Sequence, residues 1–251
     1  MYNKCLQKIN IINMNVIITG ASKGIGKAIA TEFAAAGATI FLCARNEVTL
    51  YNTIAALQTN YPASTILGKA IDMSVKTDVK DFAAWVLAGI KNTASQKIDI
   101  LVNNAGVFTP GSIYNEDEGL LEKMMETNLY SAYHLTRALA PVMMEAKQGL
   151  IVNMCSIASL TAYTNGGSYG ITKFALMGFN KNLREELKPY HVKVMAIYPG
   201  AVLTDSWGDF DNSSKRIMEA SDIATMVFAA SKLSPQAVVE DIVMRPILGD
   251  L

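Results

Sequence analysis

Short runs of aliphatic and β-branched residues recur along the chain. They are Val16–Thr19, Thr39–Cys43, Thr65–Ile71, Ile98–Val102, Leu150–Met154, Val192–Ile197 and Val238–Met244. Several are apolar at every position, which predicts strands of a sheet covered on both faces. The stretches between them carry helical spacing. Ile25, Ile29 and Phe33 make one stripe, and Phe82, Trp85, Val86 and Gly89 another. Leu120, Met124, Asn128 and Leu135 make a longer third, predicted to close near Pro141. Sustained strand–helix alternation predicts an α/β fold, a doubly wound parallel sheet of about seven strands with helices on both faces. The chain shows no repeat, low-complexity tract or Pro/Gly-rich linker, so residues 14–251 read as one domain behind an N-terminal extension, 1–13. Met14 is a plausible alternative start. The polar stretch 208–215 reads as a surface loop or lid.

Composition narrows the classes. Hydrophobic residues are 51% of the 251, and 22 basic side chains balance 22 acidic ones. A chain this apolar is not disordered. Zero net charge gives no electrostatic footprint for nucleic acid. No apolar run approaches the roughly 20 residues that span a bilayer. The N-terminal residues, interrupted by Asn10, Asn13 and Asn15, make a poor signal peptide. Cys5, Cys43 and Cys155 are widely spaced, and His134 and His191 lie far apart, so no metal site is expected. Cysteine usage points to a reducing, cytoplasmic setting.

The segment Val16-Ile-Ile-Thr-Gly-Ala-Ser-Lys-Gly-Ile-Gly26 reads as strand, glycine turn and helix start. Gly20 permits a tight turn, Gly24 lets backbone approach a pyrophosphate, and Gly26 lets the helix pack on the sheet. The helix N-terminus then faces the phosphates. Ser22, Lys23 and Ile25 of the same turn join the expected cofactor contacts. The spacing is neither G-x-G-x-x-G nor a P-loop. A glycine-rich turn without a ligand is the alternative. Past the second strand, where an acidic residue would bind a ribose 2′-hydroxyl, stand Ala44 and Arg45. A guanidinium suits a 2′-phosphate, and Lys23 adds charge, which predicts NADP(H) over NAD(H). The alternative is that both are solvated surface charges.

With these residues in place the sequence resembles the short-chain dehydrogenase/reductase family from about Met14 to the C-terminus. The carriers are Thr19-Gly20-x-x-x-Gly24-x-Gly26, Asn103-Asn104-Ala105-Gly106 after the fourth strand, and Pro199-Gly200 after the sixth. Asn128, Ser156, Tyr169 and Lys173 fall in the family's catalytic order. The resemblance implies a Rossmann-like fold. It also implies that Asp72 contacts adenine, and that Asn104, Ala105 and Gly106 line the adenosine ribose. Pro199, Gly200, Val202 and Thr204 then lie near the carboxamide, with Thr204 contacting it, and Lys173 holds the nicotinamide ribose. Asn128 would anchor a proton-relay water. A helix cap on 73–80 is the alternative role for Asp72.

The residues argue the chemistry independently. Tyr169 and Lys173, four apart, share a helix face, and Ser168 is placed to cap that helix. A phenol titrates near 10, so acid/base work at neutral pH needs about 4 kcal/mol of help, for which nearby positive charge has the right sign. Tyr169 is therefore assigned as general acid. Ser156, at a strand's carboxyl end, can bond the carbonyl oxygen. His134 reads as packing, His191 as a turn residue, and Cys155 lacks an activating base.

These readings predict an NADPH-dependent oxidoreductase reducing a carbonyl to a secondary alcohol, or the reverse. A cofactor-binding sensor or scaffold without turnover is the alternative. Among enzymes, 3-oxoacyl-carrier-protein reductases and sepiapterin-reductase-like enzymes are the nearest kinds. The acidic segment after Thr204 tilts towards a small ketone. The resemblance also implies a homodimer or homotetramer through the helices bearing Asn128 and Tyr169.

Overall fold

A computed structural model describes residues 13–250. The greater part of the expected N-terminal extension, 1–12, lies outside the described residues. Seven strands form one sheet: β1 (Asn15–Thr19), β2 (Thr39–Ala44), β3 (Thr65–Ala70), β4 (Ile100–Asn103), β5 (Leu150–Met154), β6 (Lys193–Pro199) and β7 (Asp241–Met244). Their order is β3-β2-β1-β4-β5-β6-β7, and every pairing is parallel. Each apolar run of the sequence supplies one strand, with ends shifted by up to three residues.

The central strands are buried on both faces. Val16 and Ile18 of β1 enter a core with Ile29 and Phe33 of α1 (Gly24–Ala35) and Val227 of α7 (Ala220–Ser231). Ile17 faces the other way, among Phe82 and Val86 of α3 (Lys76–Ile90) and Leu135 and Leu139 of α5 (Ser131–Ala146). Leu183 and Leu187 of α6 (Gly167–Leu187) complete that face. Helix α2 (Glu47–Asn60) buries Leu50 and Ile54 with the first core. Its Asn46 cap accepts the Thr49 N–H, satisfying one orphan donor.

Two local expectations change. The third helical stripe does not close at Pro141. α5 runs through it to Ala146, because Met143 in its last turn is fully buried and holds the helix past the missing N–H. Nor is that stripe one uniform helix. α4 (Leu120–Met125) joins α5 through a π-helical turn, Glu126–Tyr130, that contains Asn128. Such turns concentrate at functional sites. The stretch 208–215 is a surface loop, closed at its base by a bridge between Val202 and Met218.

The order of strands reverses between β1 and β4. Successive crossovers leave this point in opposite directions and open a crevice at the strands' carboxyl ends. β1 ends there in the glycine turn, β4 in Asn103–Gly106, and β5 in Ser156.

Candidate active site

The glycine turn is a fitted piece. Gly20 and Gly24 have φ of +64° and +55°, values that favour glycine. A Cβ on Gly26 would strike the Gly20 carbonyl oxygen and lie 2.6 Å from the Asn104 amide nitrogen. Asn104 fastens this turn to β4: its amide donates to the Thr19 and Gly20 carbonyls at 3.0 and 3.1 Å. The Thr19 hydroxyl accepts the Asn104 and Ala105 N–H groups at 3.0 and 2.9 Å. Thr53 of α2 donates to the Ser22 carbonyl at 2.8 Å. Helix α1 then begins with no side-chain cap and no acidic residue in its first turn. Its first N–H groups lack helical partners, so the turn fits an anionic pyrophosphate.

At the adenosine end, Arg45 is exposed just past β2. Asp72 lies just past β3 and accepts the Ser74 N–H at 2.9 Å and its hydroxyl at 2.7 Å. Burial works against its charge, but these bonds and nearby Arg45 hold the carboxyl below its ordinary value. Asp72 is not a helix cap, since α3 starts only at Lys76, behind Val75. Lys23 reaches across to Asp205, Nζ to Oδ2 at 2.6 Å. The second cation expected for a 2′-phosphate therefore bridges the glycine turn to the segment after Thr204.

Ser156, Tyr169, Lys173 and Gly106 line one cleft of about 730 Å³ at the carboxyl edge. Ser156 caps the short 3-10 turn Ile157–Ser159, accepting the Ala158 N–H at 3.1 Å. Lys173 is buried, and its Nζ donates to the Met154 carbonyl at 2.8 Å, 5.7 Å from the centre of the Tyr169 ring. Burial pulls its pKa down to about 8. Burial pushes the Tyr169 phenol up, and the hydrogen bond with Ser156 pulls it back. The net direction is upward, because desolvation disfavours the phenolate.

Asn128 sits one residue cluster away, fully turned inward. Its Oδ1 accepts the Val107 N–H at 2.7 Å, while its amide donates to the Val107 carbonyl at 3.0 Å and the Thr172 hydroxyl at 2.9 Å. A Cβ on Gly106 would lie 3.3 Å from Asn128 Oδ1 and 3.7 Å from Lys173 Nζ. So Gly106 is the narrow point between them.

Ile25, Asn104, Pro199, Gly200, Val202 and Thr204 also line the cleft. Sequence reasoning missed the rest of its wall. Phe108 packs edge-on against the Tyr169 ring at 4.8 Å, and Tyr163 and Trp207 join it. Arg245 and Asp250 close the far end as an ion pair at 2.5 Å. Their one shared signal is that each follows the carboxyl end of a strand, β4, β5, β6 or β7.

Ser168 does not cap α6. Its N–H and hydroxyl both donate to Glu116, at 2.8 Å for the N–H, because that carboxylate reaches the helix end from another loop. Cys155 is buried and burial lifts its thiol to about 11, so it is no nucleophile. His134 of α5 rings against Tyr133 and against Tyr130 of the π-turn, as packing, and His191 occupies a left-handed turn at φ +56°. Among the described residues no cluster of metal-ligating side chains occurs, and no helix is long and apolar enough to cross a membrane.

A seven-stranded parallel sheet, with a glycine turn at its switch point and a Ser/Tyr/Lys cleft at its carboxyl edge, defines a dinucleotide-dependent oxidoreductase class. The comparisons agree. A model of the short chain dehydrogenase family matches residues 14–215. A sepiapterin reductase of Chlorobaculum tepidum is 31% identical over 244 residues, covering 94% of this chain and 97% of that one. A metagenomic short-chain oxidoreductase solved in complex with NADP is 30% identical with a TM-score of 0.80, covering 93% and 97%. L-sorbose reductase of Gluconobacter frateurii, solved with NADPH and L-sorbose, is 27% identical with a TM-score of 0.81, covering 92% and 95%. The chain belongs to the short-chain dehydrogenase family and is an oxidoreductase that uses a nicotinamide cofactor.

Proposed function

We propose that the protein is an NADPH-dependent carbonyl reductase with Tyr169 as general acid. One observation carries this reading: Ser156, Tyr169 and buried Lys173 line the same cleft as Gly106, Pro199 and Thr204. Bound NADPH supplies the hydride. The protein's part is to place and protonate the carbonyl oxygen. Ser156 donates a hydrogen bond to it and favours its developing negative charge. Tyr169 gives it a proton, and the phenolate left behind is stabilised by the Lys173 ammonium. The Met154 carbonyl orients that ammonium, and Asn128 fixes the adjoining Val107 backbone.

Arg45 supports NADP(H) over NAD(H), as does the absence of an acidic residue at the end of β2. The relatives solved with NADP and NADPH point the same way. Gly20, Ser22, Lys23, Gly24, Ile25 and Gly26 would hold the pyrophosphate end, and Asp72, Asn104 and Ala105 the adenosine. Tyr169 and Lys173 would hold the nicotinamide ribose, and Pro199, Gly200, Val202 and Thr204 the carboxamide. The aromatic wall of Phe108, Tyr163 and Trp207 favours a small or flat ketone over an acyl-carrier thioester. We place the enzyme in the cytoplasm as a homodimer or homotetramer. Exposed Tyr130, Tyr133 and Phe174 on the helices bearing Asn128 and Tyr169 support the assembly.

A panel of diacetyl, benzil, menadione and a 3-oxoacyl thioester, followed by NADPH absorbance, tests the reading. Turnover of a ketone or quinone with NADPH, and much slower turnover with NADH, is expected. Cofactor binding with no turnover of any carbonyl would favour a sensor instead.

A further inference from the structure

The loop from Val107 to Gly119, between β4 and α4, runs beside the start of α6. The Gly111 N–H donates to the Asn165 carbonyl at 3.1 Å, and the Ser112 hydroxyl to Asn165 Oδ1 at 2.7 Å. Glu116 then reaches the helix end. Its Oε1 accepts the Ser168 N–H at 2.8 Å, and its Oε2 accepts the Ser168 hydroxyl. Both oxygens are spent on the residue immediately before Tyr169.

The helix needs that partner. Tyr169 lies in the first turn of α6, where N–H groups have no helical acceptors. The cap residue Gly166 offers no side chain, and Gly167, at φ +34°, takes a backbone shape that favours glycine. A Cβ on Gly167 would strike Glu116 itself, so the glycine makes room for the carboxylate. An anion there also suits the helix dipole. The same loop carries Phe108, which packs on Tyr169, and Val107, whose backbone Asn128 holds.

We propose that Glu116 is a positioning residue for Tyr169: it caps the first turn of α6 and locks that turn to the loop that walls the cleft. The proposal rests on Tyr169 being the acid of the reaction. Reacting groups must be placed within a fraction of an ångström, and misplacement by about 1 Å can cost roughly 100-fold.

The test compares Glu116→Ala, Glu116→Gln and Tyr169→Phe in the full chain, with NADPH and benzil, and adds amide exchange over residues 166–172. Glu116→Ala should lower kcat roughly 10- to 100-fold, leave the KM for NADPH nearly unchanged and speed exchange in that segment. Glu116→Gln should recover most of both, since its amide oxygen still accepts the Ser168 N–H. Unchanged kcat and exchange in Glu116→Ala would overturn the proposal, and so would an equal loss in Glu116→Gln. The exchange arm needs no substrate or turnover. A Tyr169→Phe enzyme at full rate would therefore overturn the acid role and the kcat half of the proposal, while faster exchange in Glu116→Ala would still support the cap.

Discussion

The Lys173 ammonium donates to the Met154 carbonyl at 2.8 Å, so a side chain of α6 is tied to the last residue of β5 inside the cleft. That side chain is buried, and burial draws the pKa of Lys173 from 10.5 to about 8. The consequence for stability has a definite sign. Between about pH 8 and 10.5 the unfolded chain binds the proton and the folded one does not, so this residue's cost shrinks as pH rises through that window. Below pH 8 the cost is on the order of 3 kcal/mol. Melting temperatures of wild type and Lys173→Met, measured from pH 7 to 10, should converge upwards: the wild type gains on the mutant by several degrees as pH rises. A pH-independent difference would remove Lys173 from the buried cation role.

Asn128 satisfies three groups at once, two on Val107 and one on Thr172. Replacing it by Leu leaves buried polar atoms unpaired, at about 1–3 kcal/mol each. Thr172→Val removes two bonds, the one accepted from Asn128 and the one donated to the Tyr169 carbonyl, worth about 1 kcal/mol each. Chemical denaturation should therefore rank Asn128→Leu well below Thr172→Val, and reduction should suffer in the same order. Equal stabilities would mean the Val107 contacts carry little.

Two glycine substitutions should go in opposite directions. Gly26→Ala drives a methyl into the Gly20 carbonyl oxygen, which is backbone and cannot step aside. NADPH affinity and stability should both fall. Gly178 lies inside α6 with nothing within 4 Å of its Cβ position, so Gly178→Ala should stabilise the protein by about 0.5–1 kcal/mol. Thermal melting with and without NADPH checks both.

The cofactor preference is assigned to Arg45, and Lys23 is shared with Asp205. Arg45→Ala should weaken NADPH roughly tenfold, the worth of a charge-assisted hydrogen bond, and leave NADH unchanged. Asp205→Asn releases Lys23 and should tighten NADPH by less than about fivefold, because both partners are exposed. Fluorescence titration with both cofactors reads this directly. Equal weakening of NADH and NADPH by Arg45→Ala would take Arg45 out of 2′-phosphate recognition.

The strands were legible because β1, β4 and β5 are buried on both sides and must be apolar throughout, and the glycine turn because Gly20 and Gly24 need a backbone shape few residues tolerate. Tyr169 and Lys173 were legible through helical spacing. What escaped was everything decided at long range. Glu116 caps a helix 52 residues further on, so Ser168 looked like the cap. Pro141 looked like a helix end because nothing local shows that Met143 is buried behind it. Asn128 was expected to anchor a relay water from a uniform helix, and its π-turn and its grip on Val107 arise only from packing. Phe108, Arg245 and Asp250 meet in the cleft from distant loops. The phenol of Tyr169 was expected to be lowered by nearby positive charge, and the burial that raises it comes from packing that the sequence does not show.

The central claim is that Tyr169 delivers the proton in carbonyl reduction. Tyr169→Phe keeps the ring against Phe108 and removes only the hydroxyl. NADPH should bind the mutant within about threefold of wild type, while the rate of NADPH consumption with the best carbonyl of the panel falls at least about 100-fold. A Tyr169→Phe enzyme that binds NADPH and reduces that carbonyl at the wild-type rate would contradict the account.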